Sequence, residues 1–225
     1  MGVITLYHGS QKIIEKPVFG IGNNKNDYGL GFYCTQDENL AKEWACQKNC
    51  DGFSNEYEID IEDLKILDLS QGNFNILHWL SILMQNRVFS PKSPLGRQNL
   101  DFLIQNFNLP YSDYDLILGY RANDSYFSFA SDFLENIIPI QNLASAMKLG
   151  SLGLQIVLKS EKSFSKIRFV KSEKADKQVY FPKYKERDSN ARKNYLDGLR
   201  NVKPDQAIYL IDILRKRELL NELSL

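Results

Sequence analysis

The amino-acid sequence predicts an α+β fold in a single domain that spans residues 1–225. Short apolar and β-branched runs, bounded by glycine, proline or asparagine, alternate with segments whose apolar residues recur at helical spacing. Neither a repeat nor a low-complexity linker interrupts the chain. A chain of this length buries roughly 70–75% of the surface that it exposes when unfolded, so it can fold around a hydrophobic core without disulfides.

The predicted strands are short and rich in β-branched, aromatic or aliphatic residues. Residues 3–5 open the first strand, and Gly9 and Ser10 after it predict a tight turn. The apolar run 114–119 is typical of a strand that is buried on both faces. Strands are predicted at 2–8, 30–35, 55–61, 64–69, 114–119, 154–158 and 167–170.

The predicted helices carry apolar stripes. The first follows the strand at 30–35, and either Thr35 or Asp37 is expected to cap its N terminus. The segment 171–194 is charged and poor in aliphatic residues, which predicts an exposed stretch with local helix. Further helices are predicted at 73–87, 100–107, 127–137, 143–149 and 207–220.

Composition limits the classes of function. Lys and Arg total 28, as do Asp and Glu, and this zero net charge argues against a protein that mainly binds nucleic acid electrostatically. Cys46 and Cys50 lie one helical turn apart, but too few further ligands are near for zinc, so we expect no metal and reduced thiols. No apolar run approaches the roughly 20 residues of a membrane span, and a secretion signal is lacking. We therefore expect a cytoplasmic protein with no membrane partner.

Residues 6–45 contain the strongest candidates for a functional site. His8 ends an apolar strand, a position where a histidine more often makes a structural hydrogen bond than it binds a ligand. Gly9 and Ser10 place small residues and backbone donors beside the imidazole. Such a polar concave spot suits a ligand with an amide or a hydroxyl group.

An aromatic segment between two glycines follows at residues 28–33 (YGLGFY). Aromatic residues in a strand usually pack in the core, but the flanking glycines indicate that a flat group approaches the backbone closely. Because side chains alternate along a strand, Gly31 and Tyr33 share one face and Phe32 lies on the other. One aromatic ring can then pack in the core while the other lines a cleft.

Two later segments carry polar residues next to predicted buried strands. Asn123 and Asp124 follow the strand at 114–119, and Asp124 either caps the next helix or contacts a ligand from a loop. Gln155 interrupts the apolar run LQIVL. A neutral amide within a strand must find hydrogen-bond partners or face a cleft, where it can orient a hydroxyl but cannot act as a base.

Several common motifs do not fit. The glycines of residues 20–31 form neither a phosphate-binding loop followed by Lys and Ser or Thr nor the GxGxxG pattern of dinucleotide-binding folds. A nucleophile pair of Cys34 and His8 is disfavoured because the Cys34 side chain should point away from the Tyr33 face.

The segment YHGS at 7–10, followed by DYGLGFYCT at 27–35 and an amphipathic helix, resembles the ADP-ribosyltransferase superfamily. More narrowly, the sequence is similar to a bacterial family, long catalogued as of unknown function, that is related to the His-Tyr-Glu branch containing diphtheria toxin and the poly(ADP-ribose) polymerases. The resemblance continues through residues 55–70, 115–127 and 154–169.

The resemblance implies a split, strongly bent β-sheet core at about 1–170 that binds NAD in a cleft, followed by a basic polar segment and a C-terminal helix at 171–225. It implies that His8 bonds to a ribose hydroxyl, that the backbone of Gly9 holds the nicotinamide amide, and that Tyr33 stacks on the nicotinamide ring. The other residues expected to bind NAD are Tyr7, Ser10, Tyr28, Gly31, Phe32, Thr35, Asn123 and Asp124.

The sequence departs from that branch at the third motif. The branch has a glutamate that contacts the nicotinamide-ribose hydroxyl and stabilises a cation-like transition state, whereas the matching strand here offers Gln155. Glutamine lacks the negative charge that favours a developing cation. The departure leaves three outcomes, namely slower transfer, a carboxylate supplied by Asp124 or Glu161, or lost catalysis.

The function implied by the resemblance is that of an NAD-dependent mono-ADP-ribosyltransferase, such as a bacterial toxin or defence effector. It would transfer ADP-ribose from NAD to a macromolecular acceptor, either protein or nucleic acid, and release nicotinamide. An antitoxin or immunity protein is a further expected partner. Two alternatives stay open, namely a non-catalytic module that binds NAD or ADP-ribose, and an enzyme like tRNA 2′-phosphotransferase that uses the basic segment 159–193.

Overall fold

The structure is a computed structural model that describes residues 2–71, 74–122, 124–149, 153–199 and 202–216, without the side chains of 124–126, 145–149 and 204. The described residues confirm the α+β fold. Their strands are β1 (Val3–Ser10), β2 (Phe32–Cys34), β3 (Gly52–Asp60), β4 (Ile66–Asp68), β5 (Leu116–Tyr120), β6 (Leu154–Leu158) and β7 (Ile167–Ala175). Their helices are α1 (Glu38–Cys46), α2 (Ile76–Asn86), α3 (Pro94–Phe107), α4 (Asp124–Leu134), α5 (Ile140–Leu149), α6 (Glu161–Lys166), α7 (Lys177–Leu199) and α8 (Leu210–Arg215).

Contacts between residues group the chain into two compact units. The first unit comprises Met1–Ser70, Pro110–Arg121 and Leu152–Asp188, and it contains the seven strands named above together with α1 and α6. The second comprises Gln71–Leu109, Ala122–Ser151 and Ser189–Leu225, and it contains α2 to α5 and α8. The candidate site described below lies in the first unit.

The first unit has two β-sheets, which one isolated backbone bridge joins. One sheet has the strand order β1-β3-β7, and the other has the order β2-β6-β5-β4, in which only β4 and β5 are parallel. An isolated antiparallel bridge between Tyr7 and Thr35 joins β1 to the residue that follows β2. The side chains of Leu6, Cys34, Ile59, Leu64, Leu116, Ile156 and Leu158 form a buried core from both sheets.

Helix α1 begins where the sequence predicts. Of the two alternatives for its cap, the structure selects Asp37, whose carboxylate accepts hydrogen bonds from the backbone N–H groups of Asn39 and Leu40. A capping carboxylate satisfies backbone donors that have no partner within the helix. The predicted apolar stripe is buried, and it includes Leu40 and Trp44.

The predicted turn at Gly9 and Ser10 is wrong, because β1 continues through both residues and pairs them with Ser54 and Phe53. The reason for the glycine is close packing. A Cβ atom at Gly9 would lie 1.9 Å from the carbonyl oxygen of Ala41 in α1. The small residue therefore lets the helix approach the strand backbone rather than letting the chain turn.

Gly9→Ala is expected to destabilise the chain by about 1–3 kcal/mol, because the added methyl group forces α1 away from β1. Urea denaturation measures the change. Gly198→Ala is the matched control, since a Cβ there would meet its nearest neighbour, Asn142 Nδ2, at an ordinary 3.7 Å. That control should stabilise α7 by about 0.5–1 kcal/mol. Equal stability of Gly9→Ala and the wild-type chain would show that α1 does not press on β1.

The second unit consists of helices with apolar interfaces. Trp79 and Leu80 of α2 are buried, and the ring of Phe129 in α4 stacks on that of Tyr195 at a centroid distance of 3.7 Å. Asn99 donates a hydrogen bond of 2.9 Å to the carbonyl of Leu134. None of the described helices is both long and apolar enough to cross a membrane.

The C-terminal third differs most from expectation. The segment 171–194 is mostly exposed and contains helix, as predicted, but it also contributes the second half of β7, and its helix belongs to the long α7. The edge strand β7 pairs with β3 from Ile167 to Ala175. The helix predicted at 207–220 is observed as α8 up to Arg215, and residues 217–220 lie outside the described part of the chain.

Candidate functional site

His8 lies near the end of β1 beside the bridge between the sheets. Its Nδ1 atom is 2.7 Å from the backbone oxygen of Tyr33. A carbonyl only accepts hydrogen bonds, so Nδ1 carries the proton and Nε2 of the neutral ring is left as an acceptor. The imidazole stacks on Phe32 at a centroid distance of 4.3 Å. Burial lowers the pKa of His8, and the Tyr33 carbonyl opposes this shift, so the ring is neutral at neutral pH.

The backbone of β1 offers hydrogen-bonding groups next to His8. Tyr7 uses its N–H and its C=O to bond to Thr35, at 2.7 and 2.9 Å. Backbone groups alternate in direction along a strand, so those of Gly9 point to the same side as those of Tyr7. In the described residues the isolated Tyr7–Thr35 bridge is the one backbone pairing between β1 and the end of β2. The N–H and C=O of Gly9 therefore point toward the β2 side of the opening beyond this bridge.

Tyr33 lies across the opening from Gly9. Its hydroxyl donates to the backbone oxygen of Gly29 at 2.6 Å and accepts from the N–H of Tyr28 at 3.1 Å. Phe32 packs against the core of the first unit, so the predicted alternation places the Tyr33 ring on the opposite face of β2. Tyr33 is half-buried. The loop that precedes β2 thus fixes the position of its ring through the hydroxyl.

The glycines around the aromatic segment serve the chain's own packing. A Cβ atom at Gly31 would lie 2.6 Å from Cγ1 of Val157 and 2.8 Å from the backbone oxygen of Leu158. The group that lies close to the Gly31 backbone is therefore strand β6 and not a flat ligand. Gly29 has a φ angle of 72°, a backbone conformation that favours glycine.

Lys159 holds the loop before β2 in place. Its ammonium group donates hydrogen bonds to the backbone oxygens of Tyr28 and Leu30, at 2.5 and 2.6 Å. Burial lowers the pKa of Lys159 to about 8. Sequence reading missed this residue because a lysine at a strand end usually has a solvated ammonium group.

The low pKa of Lys159 predicts a stability that depends on pH. Below about pH 8 both the folded and the unfolded chain are protonated at this group, so the cost of burying its charge is present in full. Between that pH and about 10.4 the unfolded chain binds more protons, so the free energy of unfolding rises with pH.

We therefore expect the free energy of unfolding of the wild-type chain to rise by about 1–3 kcal/mol relative to Lys159→Met between pH 7 and 10. Urea denaturation at several pH values measures this difference. Lys162→Met, at an exposed lysine of α6, is the control and should run parallel to the wild type. Parallel curves for Lys159→Met as well would contradict the prediction.

Gln155 is buried on β6, with 3% of its surface exposed. Its Nε2 donates to Oδ2 of Asp27 at 2.9 Å and to the backbone oxygen of Tyr120 at 3.2 Å. Asp27 is buried as well.

The role of Asp27 was not predicted from the sequence. The residue stands directly before the aromatic segment, where the sequence predicts only the end of a loop. An acidic residue at the edge of an otherwise neutral Gly-aromatic run was the available signal.

Hydrogen bonds, together with the side chains of Tyr33 and Tyr28, link the three residues predicted to be catalytic. His8 bonds to the Tyr33 backbone, and the Tyr33 hydroxyl bonds to the N–H of Tyr28. The Tyr28 hydroxyl donates at 2.9 Å to the backbone oxygen of Tyr120, which also accepts from Gln155. The fold thus brings His8, Tyr33 and Gln155 into one network.

Charged groups surround the Gln155 end of this network. The guanidinium of Arg121 lies 4.5 Å from the centre of the Trp44 ring. Burial lowers the pKa of Arg121, and the carboxylates of Asp27 and Glu43 are among the groups that raise it. Glu43 is itself buried and forms a salt bridge of 2.7 Å with Arg187. The charge of Asp27 therefore has a cation nearby and a glutamine in direct contact.

The other predicted site residues have more structural roles or lie outside the described part. Thr35 is buried, and its hydroxyl accepts from the N–H of Asp37 at 3.2 Å. The Ser10 hydroxyl bonds to the backbone oxygen of Lys12. Asn123 lies outside the described residues, as does the side chain of Asp124, the first residue of α4. Glu161 is exposed at the start of α6.

Cys34 does not form a nucleophile pair with His8. It is fully buried in the core between the sheets, and burial raises the pKa of its thiol. A thiol in such surroundings is inert.

A groove of about 580 Å³ adjoins Gly9. The segment 9–16 forms one wall, and α1 residues Trp44 and Ala45 with the following Gln47 and Lys48 form the other. This volume is within the range of about 300–1,000 Å³ that small-molecule pockets occupy.

Comparison with known proteins identifies a family for this chain. Residues 4–169 match the model of a family described as a protein of unknown function, DUF3990. No curated protein matches the chain, and no solved structure matches it either. The matched residues span β1 to the start of β7 and include His8, Tyr33 and Gln155.

Proposed function

We propose that this chain, which belongs to the DUF3990 family, is an NAD-dependent ADP-ribosyltransferase whose nicotinamide site is the opening between β1 and β2. The observation that carries the proposal is the bond between His8 Nδ1 and the Tyr33 backbone, beside the unpaired edge of β1 at Gly9. A histidine, a backbone edge and an aromatic ring thereby surround one opening. The separation of the strands into two sheets that meet at one bridge also supports a split-sheet core of the ADP-ribosyltransferase type.

Each residue of the opening has a role toward NAD. The N–H and C=O of Gly9 offer a donor and an acceptor, which match the oxygen and the NH₂ of the nicotinamide amide. The Tyr33 ring, fixed through its hydroxyl by Tyr28 and Gly29, offers a face for the nicotinamide ring. The Nε2 atom of His8, left as an acceptor, receives a hydrogen bond from a ribose hydroxyl.

The reaction breaks the bond between C1′ of the ribose and the pyridinium nitrogen of nicotinamide. Nicotinamide leaves as a neutral molecule with the bonding electron pair, and the ribose carries positive charge at C1′ in the transition state. A lone pair of the acceptor then bonds to C1′, and the acceptor loses a proton to solvent. The chain's contribution is to orient the ribose and the leaving ring, which lowers the entropic part of the barrier.

The acceptor is a macromolecule in this proposal, and a role as a bacterial toxin or defence effector with a neutralising partner remains a prediction. A second candidate function is a non-catalytic module that binds NAD or ADP-ribose. The observation that favours it is Gln155, a neutral residue at the third motif whose amide nitrogen is engaged within the chain.

The two candidates differ in turnover. Purified protein is incubated with NAD, and released nicotinamide is quantified; tagged NAD with a cell lysate then identifies labelled acceptors. Calorimetry with NAD measures binding in parallel. Nicotinamide release supports the transferase, and binding without release supports the module. If the protein does not bind NAD, releases no nicotinamide and labels no acceptor, both candidate functions are overturned.

Tyr33 provides a specific test of the proposed opening. Tyr33→Ala should bind NAD about 10-fold to 100-fold more weakly, because one stacked ring contributes about 1–3 kcal/mol. Tyr33→Phe keeps the ring and loses only the hydroxyl bonds to Gly29 and Tyr28, so its NAD affinity should fall less. Equal affinities of Tyr33→Ala and the wild-type chain would place the nicotinamide elsewhere.

A further inference from the structure

The orientation of the Gln155 amide follows from its neighbours. Asp27 Oδ2 and the backbone oxygen of Tyr120 both accept hydrogen bonds and cannot donate to the amide. Each takes one hydrogen of Nε2, so both amide hydrogens are used. The opposite orientation would set the amide oxygen against a carboxylate and a carbonyl. The two contacts therefore fix which end of the amide is free.

The free end is the acceptor Oε1. Within the described part of the chain no donor bonds to this atom. It is also not one of the fully enclosed side-chain atoms without a partner, so it keeps a path to solvent. An accessible acceptor without a donor in the described part of the chain can take a hydrogen bond from a ligand hydroxyl.

Gln155 and Tyr33 share one face of their sheet. Tyr33 is directly opposite Val157 in the antiparallel pair of β2 and β6. Opposite residues share a face and alternate residues along a strand return to it, so Gln155 lies on the Tyr33 face, two residues from Val157. Asp27 is held on the same face by its bond to Gln155, one residue before Tyr28, whose N–H bonds to the Tyr33 hydroxyl.

We propose that Asp27 and Gln155 act together in place of the third-motif glutamate. Asp27 is a positioning residue that holds the amide so that Oε1 of Gln155 accepts a hydrogen bond from the nicotinamide-ribose hydroxyl. This inference rests on the proposed function. It also differs from the earlier expectation that Asp124 or Glu161 supplies the missing charge.

The pair supplies both features of a carboxylate. Oε1 provides the acceptor, and the carboxylate of Asp27 provides the negative charge one hydrogen bond away. A hydrogen bond from an amide N–H to an anion draws electron density toward the amide oxygen, because bonds in a chain polarise one another. The buried setting of both side chains, at 5% and 3% exposure, reduces the screening of that charge by water, and the nearby Arg121 offsets only part of it. The developing positive charge at C1′ is thereby stabilised without a glutamate.

Exchanging the two residues tests this proposal. Asp27→Asn keeps a polar group of the same size but removes the charge, and should lower kcat for nicotinamide release by about 10-fold to 100-fold, the range for residues that orient a catalytic group. The Kd of NAD should change by less than about 3-fold, because the contacts at Gly9 and Tyr33 remain. Asp63→Asn, at an exposed position, is the matched control and should have wild-type activity.

The double variant D27N/Q155E again has one carboxylate and one amide, but the amide is now at position 27 and the carboxylate at position 155. The amide introduced at position 27 can donate to the carboxylate introduced at position 155, so kcat should rise at least about 10-fold above that of Asp27→Asn. The new carboxylate also lies against the Tyr120 carbonyl, so the Tm of the double variant should stay below that of the wild type. Gln155→Glu alone places two carboxylates about 2.9 Å apart, where like charges repel. Its Tm should therefore fall below that of both the wild type and the double variant.

The outcomes separate this inference from the proposed function. A wild-type chain that releases no nicotinamide overturns both. A folded Asp27→Asn variant with wild-type kcat overturns the inference and leaves the transferase function standing. If Asp27→Asn does not fold, the double variant decides: when it folds and releases no more nicotinamide than buffer, the inference is overturned.

Discussion

His8→Ala is expected to release nicotinamide from NAD at least about 100-fold more slowly than the wild-type chain, a loss typical of removing one preorganised polar contact to the transition state. The substitution removes the Nε2 acceptor proposed for the ribose hydroxyl. It also removes the Nδ1 donor to the Tyr33 backbone, so the Tyr33 oxygen loses this hydrogen bond. Nicotinamide release at saturating NAD measures the effect.

Two variants separate these contributions. His8→Asn retains a donor near the Tyr33 oxygen but has no ring nitrogen toward the ribose, so its Tm should approach that of the wild type while its release of nicotinamide stays low. His78→Ala removes the chain's other histidine, which belongs to the cap of α2, and should leave activity unchanged. Activity of His8→Ala close to that of the wild type would exclude His8 from the site.

Local patterns predicted the elements of the first unit well, because their signals lie within a few residues. The apolar run at 114–119 corresponds to β5, and the apolar stripe after Asp37 corresponds to α1. Alternation also predicted that Phe32 and Tyr33 point to opposite faces. Such signals depend only on the repeat of the helix or strand itself.

The glycines were harder to interpret, because one residue type serves several physical purposes. Gly9 was predicted to turn the chain, yet it lies within β1, where the carbonyl of Ala41 approaches from a helix more than thirty positions later. Gly31 was predicted to make room for a flat ligand, yet β6 occupies that space. Sequence alone does not distinguish a glycine required by φ from one required by a neighbouring backbone.

The pairing of Asp27 with Gln155 could not be predicted, because it joins side chains 128 positions apart. The sequence identified Gln155 as the polar exception in an apolar strand and required that it find partners. That partner, Asp27, lies in the loop before β2. The path of this loop is fixed by Lys159 and by the Tyr28 hydroxyl. The length of α7 was missed for a related reason, since its charged surface hides contacts such as Arg187 with Glu43.

Arg187→Met is expected to lower the free energy of unfolding by about 3–5 kcal/mol, because the buried carboxylate of Glu43 loses its salt-bridge partner. The Arg187 guanidinium contacts both oxygens of Glu43, at 2.7 and 2.8 Å. Only 3% of the Glu43 side chain is exposed, so water cannot replace the lost partner. Urea denaturation at neutral pH measures the change.

Arg168→Met is the matched control for this salt bridge. Arg168 pairs with Glu58 at 2.5 Å, but 70% and 40% of the two side chains are exposed. Exposed pairs contribute about 0–1 kcal/mol, so this variant should be nearly as stable as the wild type. The double variant E43L/R187M removes both charges, and should recover most of the stability lost in Arg187→Met, because two apolar side chains need no ionic partner. A double variant less stable than Arg187→Met would mean that Glu43 contributes through contacts other than Arg187.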